Sequence, residues 1–219
     1  MAQLFPASAN TLARVFILGG TLLLCLFCCG VAALSRSPWA TWQYVVRDQP
    51  VPFSHQHHVS GLGLDCRFCH TSVESSAFAG VPSTKVCMTC HSQIWTNAQM
   101  LQPVRDSWRN GAPIEWNRVH NLAGYVYFDH SIHVQKGVGC STCHGRIQDM
   151  PLTYQATTLQ MQWCLDCHRN PEKYLRPRDQ VFNMNWEPPA DQLARGTELA
   201  ELYHVLPKQQ MQNCSTCHR

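Results

Sequence analysis

Cysteine is almost absent outside one pattern. Of the 13 cysteines in these 219 residues, ten fall in Cys-x-x-Cys-His motifs, and the other three, Cys25, Cys28 and Cys29, lie in one apolar run. A disulfide framework would not require histidine after every second cysteine, and a zinc site would pair two Cys-x-x-Cys knuckles without that rule, so both are set aside. Charge is also scarce, at 14% of residues with a formal net charge of +3, and no basic surplus marks a nucleic-acid surface. Lysine is the rarest cation, four against 13 arginines. Codon bias explains that as well as a use of arginine for planar, bidentate recognition of carboxylates. The hydrophobic fraction of 45% counts the cysteines and the single long apolar run, so little apolar material is left to build a soluble core.

What is there is a motif repeated five times: Cys66, Cys69 and His70; Cys87, Cys90 and His91; Cys140, Cys143 and His144; Cys164, Cys167 and His168; Cys214, Cys217 and His218. Each cysteine pair can form thioethers to the two vinyls of a haem, and the following histidine is placed to ligate iron from the same side. Five motifs imply five haem c groups. Their propionates would turn the formal charge of +3 into about −2 in the ferric state, so the sequence pI of 8.2 says nothing about partners.

The motifs are spaced in pairs. First cysteines lie 21, 53, 24 and 50 residues apart, so motifs one and two form a unit (53–91), three and four another (128–168), and the fifth a half unit (204–219). Each full unit opens with the same prelude. Phe53-Ser-His55-Gln-His57-His58-Val59 aligns without gaps on Phe128-Asp-His130-Ser-Ile-His133-Val134. His55, His58, His130 and His133 are therefore expected as sixth, distal iron ligands. His130 has room to loop to the far face of the haem at Cys140, which leaves His133 for a second haem. His57 stands opposite Ile132 and is expected at the surface or behind a ligand. The fifth distal ligand must come from His120, His204, Met150, Met161 or Met211. His204 repeats the offset of His130 from its motif, and Met150 would raise the potential of its haem. Met161 and Met211, three residues before a cysteine, are expected in core packing.

Residues 15–35 form a run of 21 without charge, about 31 Å as a helix against a hydrocarbon core of about 30 Å. Val31-Ala32-Ala33 could serve as a signal-peptide cleavage site, but the run exceeds an h-region, so a retained single-pass anchor is expected over 1–36. The residues before Cys28 and Cys29 make no convincing lipidation signal. The arginines flanking the run, Arg14 against Arg36 and Arg47, give little orientation signal. Because haem is attached to such motifs outside the cytoplasmic membrane, the haem domain (53–219) is expected on the periplasmic side. Trp39, Trp42 and Tyr44 would then sit in an interfacial belt within an extended linker, 37–52. The expected fold is mostly coil with short α-helices wrapped around five haems. Proline pairs interrupt it, with helices at Thr158–His168 and Asp191–His204.

The prelude followed by the cysteine motif resembles class III and related small multihaem cytochromes. There the first histidine ligates the haem of its own segment and the second reaches another. The apolar span, the five motifs and the stretch WRNGAPIEWNRVHNLAGYVYF (108–128) resemble the pentahaem cytochrome subunit of bacterial alternative complex III. That resemblance implies an electron-transfer subunit of a quinol-oxidising respiratory or photosynthetic complex in the inner membrane. It also implies iron–sulfur and quinol-binding membrane subunits as partners, a periplasmic acceptor, and His120 as the fifth distal ligand. Two rivals are weighed against it. A membrane-anchored multihaem quinol dehydrogenase feeding a reductase would carry an unusual first haem, which the prelude before Cys66 argues against. A catalytic multihaem reductase needs an open iron and commonly a lysine ligand, whereas all five motifs end in histidine.

Overall fold

The computed structural model describes residues 5–218. The outermost ends of the expected anchor (1–4) and of the half unit (219) lie outside the described residues. The polypeptide divides into two compact units, with the boundary between Gln43 and Tyr44.

The first unit is dominated by α1 (Ala9–Arg36), which carries the uncharged run. Its 28 residues make about 42 Å, more than a bilayer core requires. The helix begins earlier than the uncharged run because the Ser8 carbonyl already accepts the Leu12 N–H (3.0 Å). Hydroxyls within it are satisfied locally: Thr21 Oγ1 donates to Ile17 O (2.7 Å) and Ser35 Oγ to Ala32 O (3.0 Å). With a mean hydropathy of 2.5 over its most apolar window, it is the one described helix long and apolar enough to cross a membrane. Ser37 turns extended and Pro38 opens a single further turn, α2 (Pro38–Thr41).

The second unit contains no strand among the described residues, only two isolated bridges, Val46 with Tyr154 and Val138 with Leu175. A π-helical turn (Gln56–Gly61) comes first. After it come α3 (Cys66–Cys69), α4 (Thr84–His91), α5 (Gln102–Asn110), α6 (His130–Gln135) and α7 (Cys140–His144). The last are α8 (Met161–Arg169), α9 (Gln192–Leu202), α10 (Lys208–Met211) and α11 (Cys214–Cys217). The second unit is thus short helices joined by coil, as the sequence leads one to expect. Two expected helices are trimmed: Leu159 is left-handed (φ 53) and delays α8, and His204 (φ 51) lies beyond the end of α9.

Among the described residues only nine apolar side chains are buried. Val51, Leu101 and Val104 form one cluster with Ile114 and Trp116 against its edge. Leu175, Val181, Met184 and Tyr203 are buried in the segment after α8. Residues 44–52, expected as a linker, are held within the second unit. Tyr44 N–H donates to Gln155 O (2.8 Å), and the Gln49 amide both donates to Asn117 O (2.8 Å) and accepts from Asn117 N–H (2.9 Å). Met161, expected in the core, is 62% exposed in the polypeptide.

Candidate haem centres

All five motifs sit on helical turns: α3, the ends of α4 and α8, α7 and α11. One turn puts residues three and four apart on a common face, so both sulfurs and the histidine address one side of a planar group. Where local sequence supplies a cap, it secures the turn. Asp65 Oδ1 accepts the Arg67 N–H (2.8 Å) at the start of α3.

The motif histidines share a hydrogen-bond habit. Nδ1 of His70 meets Gly80 O (2.6 Å), His91 meets Ile94 O (3.3 Å), His168 meets Met211 O (3.0 Å) and His218 meets Tyr125 O (3.1 Å). A carbonyl at Nδ1 fixes the proton there and leaves Nε2 with its lone pair for a metal. His144 differs: its Nδ1 faces His120 Nε2 at 3.1 Å.

The prelude histidines follow the same rule. His58 Nδ1 donates to Ser54 O (2.8 Å) and His133 Nδ1 to Asp129 O (2.7 Å), each four residues back. His130 Nδ1 meets Ala77 O (2.9 Å), and His55 Nδ1 meets Thr153 Oγ1 (3.0 Å). The aligned phenylalanines hold them alike. Phe53 stacks on His58 (4.4 Å) and meets His55 edge-on (5.0 Å), while Phe128 stacks on His133 (4.5 Å) and meets His130 edge-on (4.8 Å).

Three imidazole pairs stand across from one another at nearly one distance. Ring centres are 6.3 Å apart for His58 and His91, 6.4 Å for His130 and His144, and 6.3 Å for His133 and His168. Two imidazoles bound trans to one metal through nitrogens about 2 Å away put their ring centres about 6.3 Å apart. The donors gather in pairs, and no group of three or more suited to a bare ion occurs among the described residues. Pairs suit a metal whose other four ligands come with a macrocycle.

Burial, and after it neighbouring imidazoles, shifts His55, His58, His120, His133 and His144 toward the neutral form, the one that binds metal. Burial, then the nearby His70, His58 and His120, brings His55 down to about 4. His144 falls to about 3, chiefly through burial and then through His120, His130, His70 and His55. The thiol of Cys143 is pushed up to about 12 by burial.

The remaining candidates are placed as follows. His120 lies edge-on to His144, ring centres 4.4 Å apart. Met150 is 3% exposed, and its carbonyl accepts the Gln56 N–H (3.0 Å). His204 is exposed. His57 is exposed, edge-on to His58 and 5.9 Å from the Trp95 ring. Spacing leaves the second prelude histidine for a haem other than that of its own segment without saying which; in the structure His58 faces His91 and His133 faces His168.

Cysteine pairs each followed by histidine, on short helical turns, with imidazoles facing one another across about 6.3 Å, are the features expected of a c-type multihaem cytochrome. The family described as cytochrome c7 and related cytochrome c matches residues 126–219. The multihaem cytochrome c subunit of menaquinone reductase from Nitratidesulfovibrio vulgaris is 30% identical over 163 residues, covering 64% of this chain and 78% of that protein. The chain belongs to this family of multihaem cytochromes c.

Proposed function

We propose that the chain is the electron-carrying subunit of a membrane-bound, quinone-linked oxidoreductase, anchored by α1 and holding five haems on the periplasmic side. The haems would supply reversible one-electron chemistry at iron. The observation that carries the reading is the set of imidazole pairs. His130 and His133 lie one helical turn apart yet face different motifs, His144 and His168, so one turn of α6 ties two iron sites closely together. His58, facing His91, does the same for the first unit, with His55 left to face His70. The proposed organisation is an anchor over 1–36, a connector over 37–52 whose residues 44–52 pack within the second unit, and a haem domain over 53–219.

The ligand set is His70, His91, His144, His168 and His218 on one side of the irons, and His55, His58, His130 and His133 opposite the first four. His120 completes the set by resemblance. To ligate through Nε2 it must give up its hydrogen bond with His144. His204, exposed and ten residues before Cys214, and Met150 are the alternatives. Counting bis-histidine low-spin haems by near-infrared magnetic circular dichroism in His120→Ala and His204→Ala identifies the ligand by which variant loses one.

The named complex is a further step. The 108–128 stretch supports a subunit of alternative complex III, feeding electrons from quinol toward a periplasmic acceptor. The 30% identity to a menaquinone reductase subunit favours a second reading, with electrons flowing toward quinone. Haemochrome analysis of the intact complex is expected to return five covalent haems per chain, and stopped-flow mixing with menaquinol is expected to reduce them rapidly. Four or fewer haems would mean a misread motif. Haems that stay oxidised with quinol, yet discharge electrons into added quinone once reduced, would establish the second reading.

A further inference from the structure

Arg176 is a buried cation, 4% exposed, in a domain where most charges reach solvent. Its guanidinium lies over the Trp186 ring, 4.3 Å from the ring centre. Gly139 lies against it: a Cβ there would collide with the guanidinium carbon unless the arginine side chain moved. Nη2 donates to Ser141 Oγ (3.1 Å) and Thr142 Oγ1 (3.4 Å), and Nη1 donates to Asn183 O (3.3 Å). Every acceptor is neutral. Among the described residues the ion pairs include no carboxylate on Arg176, and its Nε is sealed with no hydrogen-bond partner. No protein acceptor lies within hydrogen-bond distance of that atom.

Ser141 and Thr142 are the two residues between Cys140 and Cys143, so the guanidinium rests on the turn that would carry the third haem. The other motifs provide the contrast. In the first, Arg67 stands between the cysteines but is neutralised by Asp65, with Nη2 to Oδ2 at 2.8 Å. The fifth repeats the Ser-Thr pair, yet Thr216 Oγ1 donates to Gln210 O (2.8 Å) and meets no cation among the described residues.

We propose that Arg176 sets the potential of the haem bound at Cys140–His144. Its charge, which no described protein carboxylate neutralises, favours ferrous over ferric iron, and so places this haem above the potential it would otherwise share with bis-histidine neighbours. The proposal rests on the reading that this motif binds haem. A guanidinium keeps its proton at any working pH, which makes the bias permanent. In a wire of five haems it would make this one the site where an electron rests.

The test uses the full-length, haem-loaded protein in membranes, with haem counted by haemochrome and midpoints measured by optical redox titration. Arg176→Met is expected to lower one midpoint and leave the others in place. Arg176→Lys, which keeps the charge but loses the fork on Ser141 and Thr142, is expected to hold that midpoint near the wild type. Unchanged midpoints in Arg176→Met at full haem content, or an equal fall in both variants, would overturn the proposal. If Arg176→Met does not load haem, Ser141→Asp is compared with Ser141→Asn. An unneutralised cation predicts that the aspartate variant unfolds at the higher temperature, and the reverse order overturns it. Four haems in the wild-type chain would instead indict the reading of the motif.

Discussion

The two preludes, 53–59 and 128–134, present the same rings on different backbones. Each phenylalanine stacks on the second histidine and meets the first edge-on, with distances that agree within 0.2 Å. Yet the first is a π-helical turn, in which Leu62 N–H reaches back to His57 O (3.1 Å), and the second is the α-helix α6. Capping accounts for part of the difference. Asp129 Oδ1 accepts from Ser131 N–H (2.8 Å) and Ile132 N–H (3.4 Å), closing an ordinary first turn. In the first prelude Ser54 stands at that position, and its Oγ accepts only the His57 N–H (3.1 Å). The lesson is that ring placement, not helix type, is what the two units hold in common, as expected where the rings bind metal and the backbone only positions them.

Five substitutions, at three places in the preludes, test that comparison. The largest effect is expected from exchanging the second histidine of each prelude. His133→Met should raise the potential of the haem at Cys164–His168, and His58→Met that of the haem at Cys87–His91, because thioether ligation favours ferrous iron. A redox titration in which the haem of the same segment moves instead would break the assignment of the cross-motif pairs. A moderate effect is expected at the caps. Asp129→Ala should cost about 1 kcal/mol of stability by thermal unfolding, and Ser54→Ala, which loses one hydrogen bond, less than that. Equal losses would show that the π turn is as dependent on its side-chain acceptor as the α-helix. The smallest effect is expected from His57→Ile, which makes the first prelude match the second at that position. Haem count and midpoints should stay at wild-type values, and a lost low-spin haem would promote His57 to a ligand.

The ligands were legible wherever they are set by short spacing. The five motifs and the two preludes state their chemistry within a few residues, because thioether attachment and one-turn histidine spacing are local constraints. The helix at 192–202 was readable from its proline-bounded segment, and α1 from its uncharged length. What failed to show were features made by distant neighbours: the early start of α1 excepted, these include the docking of 44–52 onto residues 117 and 155, the exposure of Met161, and the engagement of His120 with His144.

The sequence by itself therefore determined the cofactor class, the five motif positions and the long apolar helix, since each depends on residues adjacent in the chain. It also set His130 against its own motif, whereas only the tertiary structure decided which motifs His58 and His133 face and where Arg176 rests. Those contacts join segments tens of residues apart, and their partners are chosen by how the coil packs, which local spacing does not encode.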